Sequence, residues 1–199
     1  KILSGIDTAM DNIEEVNIFR GTGNCDIGIN RRKVINGTAS MAPNEDGPVD
    51  NELNVILFKT LSGNIKGLLF HYSCHPTVTD SNFISSEYCG VAAEKIEKWL
   101  NDNAVVTFLQ GFCGDVRPKL VQNNEFYRGN EEDVEKFANQ LFEEVKSILT
   151  SKMKHVECEK ITIDNRQINL KMNGIPSYED LHKEITDEEC YISEWKRKL

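Results

Sequence analysis

The sequence lacks several features that would place it in a special class of proteins. No apolar run approaches the ~18–20 residues that a membrane-spanning helix needs. Six cysteines in 199 residues are too few for a disulfide scaffold, and no two of them form a CxxC pair. Lys and Arg are outnumbered by Asp and Glu, which gives a net charge of −9 and argues against a nucleic-acid partner.

What remains is an ordinary globular composition, with 39% hydrophobic residues and 13 glycines. A chain of this size can bury a real core. Cys74 and Cys113 lie in apolar runs, where a thiol behaves as a small hydrophobe, so we expect reduced, buried thiols. This pattern predicts a cytoplasmic protein, and the alternative is secretion if a signal peptide preceded Lys1.

Hydrophobic periodicity predicts a layered α/β order of elements. The predicted elements are a hairpin of strands 54–60 and 66–74, a helix over 88–100 capped by Ser85 or Ser86, a buried strand over 104–110, a long helix after Asn130, and one or two strands within 156–172. Residues 30–33 and 36–50 are predicted as a turn and a loop, and capping boxes are expected at Ser177/Asp180 and Thr186/Glu189. The expected fold is an α/β layered domain with a mixed β-sheet flanked by helices.

Two histidines, His71 and His75, lie four residues apart at the end of the second hairpin strand. In a strand they share a face but lie about 13 Å apart, which is too far for one zinc ion. His75 is the better candidate ligand, because the strand gives way to a loop there. The alternative is a hydrogen-bonded histidine beside a strand-ending proline, and His71 is expected to lie on a sheet face or in the core.

Residues 111–118 (GFCGDVRP) follow the buried strand, at the end where α/β folds collect ligands. Gly111 and Gly114 would let backbone amides approach an anion or a carbonyl oxygen. Asp115 could orient a histidine or join a metal shell, and Arg117 could hold a carboxylate or phosphate. The alternative is a plain turn, with Asp115 as its cap and Arg117 in a surface ion pair.

Paired arginines, Arg31 and Arg32, follow a glycine-bearing strand near the N-terminus. They could clamp an anionic group, or they could simply be solvated.

Residues 75–77 (HPT), 84–90 (ISSEYCG) and 111–118 together resemble the neutral/alkaline, non-lysosomal ceramidase family. Residues 30–32 (NRR) and 47–50 (GPVD) fit the same order upstream, so the resemblance spans about residues 20–120. It is most similar to the shorter bacterial members of the family. The resemblance implies one partial catalytic domain over 1–199, with 156–199 as an extension of it.

That family consists of zinc amidases that cleave the N-acyl bond of ceramide, so the resemblance implies zinc and a lipid-amide or small-molecule substrate. It implies His75 as a zinc ligand and Arg31 as a substrate contact, whereas Gly111 and Gly114 are expected to bind substrate through their amides. The family's other ligands, an upstream His and a downstream Glu and Tyr, have no match in this chain. Its nucleophilic serine corresponds to Arg117, which has no nucleophilic oxygen, so the attack would come from metal-activated water.

Three functions therefore remain open. The first is a fragment of a ceramidase-like, zinc-dependent amide hydrolase, with Asp115 and Arg117 as catalytic residues, that is inactive alone because ligands are missing. The second is the same scaffold acting on a non-lipid substrate, which the net charge of −9 and the apparent absence of an exposed apolar stripe favour. The third is a non-catalytic binding module.

Overall fold

Three helices and ten strands form in the part of the chain that the computed structural model describes, namely residues 2–101, 104–157, 160, 162–170, 177 and 179–180. In chain order they are α1 (Ile2–Asp11), β1 (Val16–Asn24), β2 (Gly28–Ile35), β3 (Thr38–Asn44), β4 (Glu52–Thr60), β5 (Ile65–Tyr72), α2 (Glu87–Trp99), β6 (Val105–Gln110), β7 (Val116–Pro118), β8 (Val121–Gln122), β9 (Glu125–Phe126), α3 (Glu131–Ser151) and β10 (Lys154–Val156). Within this described part, no helix has the length and apolar character needed to cross a membrane.

The main sheet has five strands in the order β10-β1-β4-β5-β6. β4 and β5 form the predicted antiparallel hairpin, and β6 lies parallel to β5. A parallel pair needs a crossover, and α2 provides it. The sheet is therefore mixed and helices pack against it, which confirms the predicted α/β class.

The core lies between this sheet and the two long helices. Alternate residues of β4 and β5 join the apolar sides of α2 and α3 in one buried cluster, as strand and helix periodicity require. Its largest fully buried members are Tyr72, Tyr88, Phe70, Leu53, Leu68 and Ile96. Two of the tyrosines satisfy their hydroxyls on backbone carbonyls, Tyr72 on Cys25 (2.6 Å) and Tyr88 on Cys74 (2.9 Å).

Both predicted helices form, and side-chain hydrogen bonds at their N-termini satisfy amides of the first turn. At α3, the Asn130 side chain accepts from the Asp133 amide and the Asp133 carboxylate accepts from the Asn130 amide, so a capping box begins the helix. At α2, the Glu87 amide donates to Ser85 Oγ (3.0 Å), and Ser86 makes no side-chain cap. Ser86 is therefore the N-cap residue by position, whereas Ser85 supplies the side chain that accepts from the first turn of α2.

A second sheet, β3-β2-β7, corrects two predictions. Residues 30–33 lie within strand β2 and form no turn, and residues 38–44 of the predicted 36–50 loop form strand β3. Asn36 and Gly37 adopt positive φ angles at the tight turn between them. Such a turn brings the two strands together as a hairpin, and the pairing outweighs the weak strand propensity of residues 38–44.

The chain divides into two compact units, Lys1–Glu159 and Lys160–Leu199. The strands predicted within 156–172 are wrong for the most part, because β10 ends at Val156 and residues 162–170 form no strand. Among the described residues from 154 to 170, only 154–156 pair with another strand, namely β1. The expected cap at Ser177 is present, with the Asp180 amide donating to Ser177 Oγ (3.1 Å), and Thr186 and Glu189 lie outside the described residues.

Four of the cysteines are described, and all four are free thiols. Burial raises the pKa of Cys25 and of Cys74 to about 12, so both are inert core thiols, as predicted for Cys74. Cys113 differs from the prediction, since it lies half-buried in the loop between β6 and β7.

Candidate active site

The candidate site lies where the parallel strands β5 and β6 end side by side. Tyr72 and Gln110 are paired at their last positions, so the loops 73–86 and 111–115 leave the same edge of the sheet. The Gln110 side chain ties the two loops together by donating to the Cys74 carbonyl oxygen (3.2 Å). This edge is where ligands collect in α/β folds.

The second sheet places Arg31, which lies in β2, at this edge. β2 pairs with β7 so that Asn30 lies opposite Val116, and the His75 amide donates to the Val116 carbonyl oxygen (3.1 Å). The Arg31 amide donates to the Asp115 carbonyl oxygen (2.7 Å). Arg31 Nη2 lies 3.2 Å from His75 Nε2 and 3.0 Å from the Gly114 carbonyl oxygen. The structure thus brings together Arg31, His75, Gly114 and Asp115, which are far apart in sequence.

His75 faces Arg31 as a neutral imidazole. Partial burial lowers the pKa of His75 below its ordinary value of about 6.5, and the charges of Arg31 and Arg117 lower it further. Because a guanidinium can only donate, Nε2 is the acceptor in this contact. His75 therefore holds the Arg31 side chain in place.

The Asp115 carboxylate has one fixed and one free oxygen. Asn30 Nδ2 donates to Asp115 Oδ2 (3.0 Å) and also to the Pro48 carbonyl oxygen (2.9 Å). Oδ1 has no hydrogen-bond partner among the residues that the structure describes. The sequence pattern assigned no role to Asn30, which directly precedes the arginine pair. The structure shows that Asn30 is buried. A carboxylate held at one oxygen can accept a proton at the other.

The two glycines of the loop differ in whether their amides are open, and only Gly111 departs from the expectation. The Gly111 amide donates to the Tyr72 carbonyl oxygen (3.0 Å), so this donor is occupied. Gly111 is needed for close approach instead, since a Cβ there would lie 2.3 Å from Ser73 Oγ and 2.8 Å from His71 Nε2. Nothing lies within 4 Å of a Cβ at Gly114, and no described group accepts from its amide.

Arg117 is the most unusual side chain of the site. It is only 5% exposed, its guanidinium lies 4.5 Å from the Phe126 ring centroid, and its Nε and Nη2 atoms are enclosed without a described hydrogen-bond partner. Burial lowers its pKa, and the charges of Arg128 and Arg31 lower it further. The alternative of a surface ion pair for Arg117 is therefore wrong.

The described residues do not fit a zinc ion. A catalytic zinc needs about three protein ligands, and nowhere in the described ranges do three His, Cys, Asp or Glu side chains come close enough to hold a metal. The Nε2 atom of His75, the one candidate ligand, lies 3.2 Å from the Arg31 guanidinium. His71 lies on β5 against Gly111, away from this contact, as the sheet-face alternative predicted.

The loops beside the site expose large apolar side chains. Phe83 and Ile84 in the loop after β5, and Phe112 in the loop after β6, are almost fully exposed. This edge therefore exposes apolar side chains, although they form no regular stripe along the sequence.

Comparison with solved structures identifies a similar fold. The chain is similar to the neutral ceramidase from Pseudomonas aeruginosa, with a TM-score of 0.61 and 20% identity, over 78% of this chain and 26% of that chain. A ceramidase complexed with C2 matches with a TM-score of 0.59 and 19% identity, over 76% of this chain and 25% of that one. The chain thus spans about a quarter of the length of these structures, and the ceramidase resemblance is confirmed at the level of the fold.

Comparisons at the sequence level gave no match, either to a protein-family model or to a curated protein.

Proposed function

We propose that this chain forms the part of a ceramidase-like hydrolase that binds and cleaves an amide (N-acyl) bond. The observation that carries the proposal is the cluster of Arg31, His75 and Asp115 at the carboxyl ends of β5 and β6, in a fold similar to neutral ceramidase. These residues come from three separate segments, and the hydrogen bonds among them fix their relative positions.

The chemistry follows from the free groups. Asp115 Oδ1 takes a proton from water as the water attacks the carbonyl carbon. The Arg31 guanidinium, whose remaining donors have no described partner, stabilises the negative charge that develops on the carbonyl oxygen, and the Gly114 amide is a further donor there. The C–N bond then breaks, the proton passes from Asp115 to the leaving nitrogen, and an acid and an amine are released.

His75 is a positioning residue in this scheme. Its neutral ring accepts from Arg31 and aims the guanidinium at the site. Protonation of His75 would place two cations in contact, so we assign it the role of keeping Arg31 in place. No step is routed through zinc, because the described residues offer one ligand only.

Arg31→Gln tests the proposal directly. In the full-length natural protein, we expect this change to lower kcat/KM for an N-acyl amide by about 10²-fold, as the loss of one transition-state donor does. Release of the free acid and of the amine in equal amounts is the measurement.

Arg32→Gln is the matched control, because Arg32 is the exposed neighbour and no described group accepts from its side chain. We expect that variant to keep wild-type kinetics. If the wild-type protein released no acid from any of a set of N-acyl amides, the proposal would be wrong.

A further inference from the structure

The Arg117 guanidinium presents two donors without a partner. Nε and Nη2 are the two nitrogens of one edge of the planar group, the edge that binds both oxygens of a carboxylate or phosphate side by side. Both are enclosed, and neither has a hydrogen-bond partner among the described residues. A buried charged donor without a partner is unfavourable, and folded proteins rarely keep one.

The surroundings of Arg117 are cationic although the chain is acidic. Arg128 and Arg31 are close enough to lower its pKa, and Arg128 is exposed. None of the ion pairs in the described part of the chain involves any of these three arginines.

The protein holds the guanidinium of Arg117 firmly in place. The backbone of Arg117 is fixed by pairing with Ile29 in β2, and the ring of Phe126 lies against the guanidinium face at 4.5 Å. A cation on an aromatic face is stabilised without using its N–H donors, so the contact with Phe126 leaves Nε and Nη2 unpaired.

We infer that Arg117, with Arg128 and Arg31 beside it, binds an oxyanion of the substrate, either a carboxylate or a phosphate group. This inference rests on the proposed function, and it names the substrate class as N-acyl compounds that carry such an anionic group. The Nε–Nη2 edge supplies the two donors for the oxygens of the anion, and binding requires the side chains that enclose this edge to make room for it.

Equilibrium binding tests this inference without any turnover. The full-length natural protein is titrated with inorganic phosphate and, separately, with acetate, by calorimetry and by thermal unfolding. Sodium chloride at equal ionic strength is the control for general screening. We expect saturable binding of at least one of the two oxyanions and none of chloride, and the tighter of the two identifies phosphate or carboxylate as the group.

Two substitutions, Arg117→Met and Arg117→Lys, distinguish the contribution of the Nε–Nη2 edge to anion binding from that of the positive charge. We expect about 100-fold weaker binding for Arg117→Met and about 10-fold for Arg117→Lys, which keeps the charge but loses the two-donor edge. Arg32→Gln is the control and is expected to bind as the wild type does.

The thermal stability of Arg117→Met tests whether Arg117 takes part in a buried ion pair within the protein. Replacing a buried unpaired charge by an apolar side chain of similar volume does not destabilise a protein, whereas removing one partner of a buried ion pair does. Arg117→Met is therefore expected to unfold, without added anion, at or above the wild-type temperature. If the wild-type protein bound neither phosphate nor acetate, the inference would be overturned. A lower unfolding temperature of Arg117→Met than of the wild type would also contradict it. Neither result would affect the amide hydrolysis assay.

Discussion

Replacement of Asp115 by asparagine is expected to lower kcat/KM for an N-acyl amide by about 10²–10⁴-fold, the range that a general base contributes. The amide oxygen of the new side chain still accepts from Asn30 Nδ2, as Asp115 Oδ2 does at 3.0 Å, so the local structure is preserved. The substitution removes the carboxylate oxygen Oδ1, which has no described hydrogen-bond partner and is proposed to act as the base. The full-length natural protein is the sample, and steady-state kinetics is the measurement.

Asp46→Asn is the matched control for that substitution. Asp46 is exposed in the turn after β3, and no described hydrogen bond or ion pair involves it. We expect wild-type kinetics for this control. If Asp115→Asn retained more than a tenth of the wild-type kcat/KM, Asp115 would not be the base.

Gly111→Val is expected to destabilise the folded protein by about 3 kcal/mol, at the upper end of what overpacking does. A Cβ at this position would lie 2.3 Å from Ser73 Oγ and 2.8 Å from His71 Nε2, and Ser73 is buried and bonded to Asp50 Oδ2 (3.3 Å). The ends of β5 and β6 must therefore separate. Urea unfolding followed by circular dichroism measures the change in the free energy of unfolding.

Gly114→Ala gives the matched stability control in the same loop. Nothing lies within 4 Å of a Cβ there, so we expect its free energy of unfolding to change by less than about 0.5 kcal/mol. Equal destabilisation of the two variants would show that the loop as a whole, and not the contact of Gly111 with Ser73 and His71, limits stability.

The elements that could be predicted from sequence are those with a strong local pattern. The apolar stripe and Asn130 cap identify α3, and two β-rich runs with a short loop identify the β4–β5 hairpin. Strand β3 could not be predicted, because residues 38–44 are stabilised by pairing with β2 and not by their own propensity. The same holds for β10, where only three residues find the edge of β1.

The candidate site was partly predictable for a related reason. The ceramidase resemblance pointed to Arg31, His75 and Asp115, and the structure brings them into contact. Neither the enclosed edge of Arg117 nor the nearness of Arg128 follows from sequence spacing. Both depend on where residues 119–130, which include β8 and β9, lie relative to β7. The position of His75 at a strand end suggested one ligand and the resemblance implied zinc, but the described side chains do not supply a ligand set.

The most direct test of the account is a matched pair of substrates for the full-length natural protein. One is an N-acyl amino acid with a free carboxylate, and the other is its neutral carboxamide. The account predicts that kcat/KM for the carboxylate exceeds that for the carboxamide by about 10-fold or more, and that Arg117→Met abolishes this preference. Equal cleavage of the two substrates, or a preference unchanged in Arg117→Met, would contradict it.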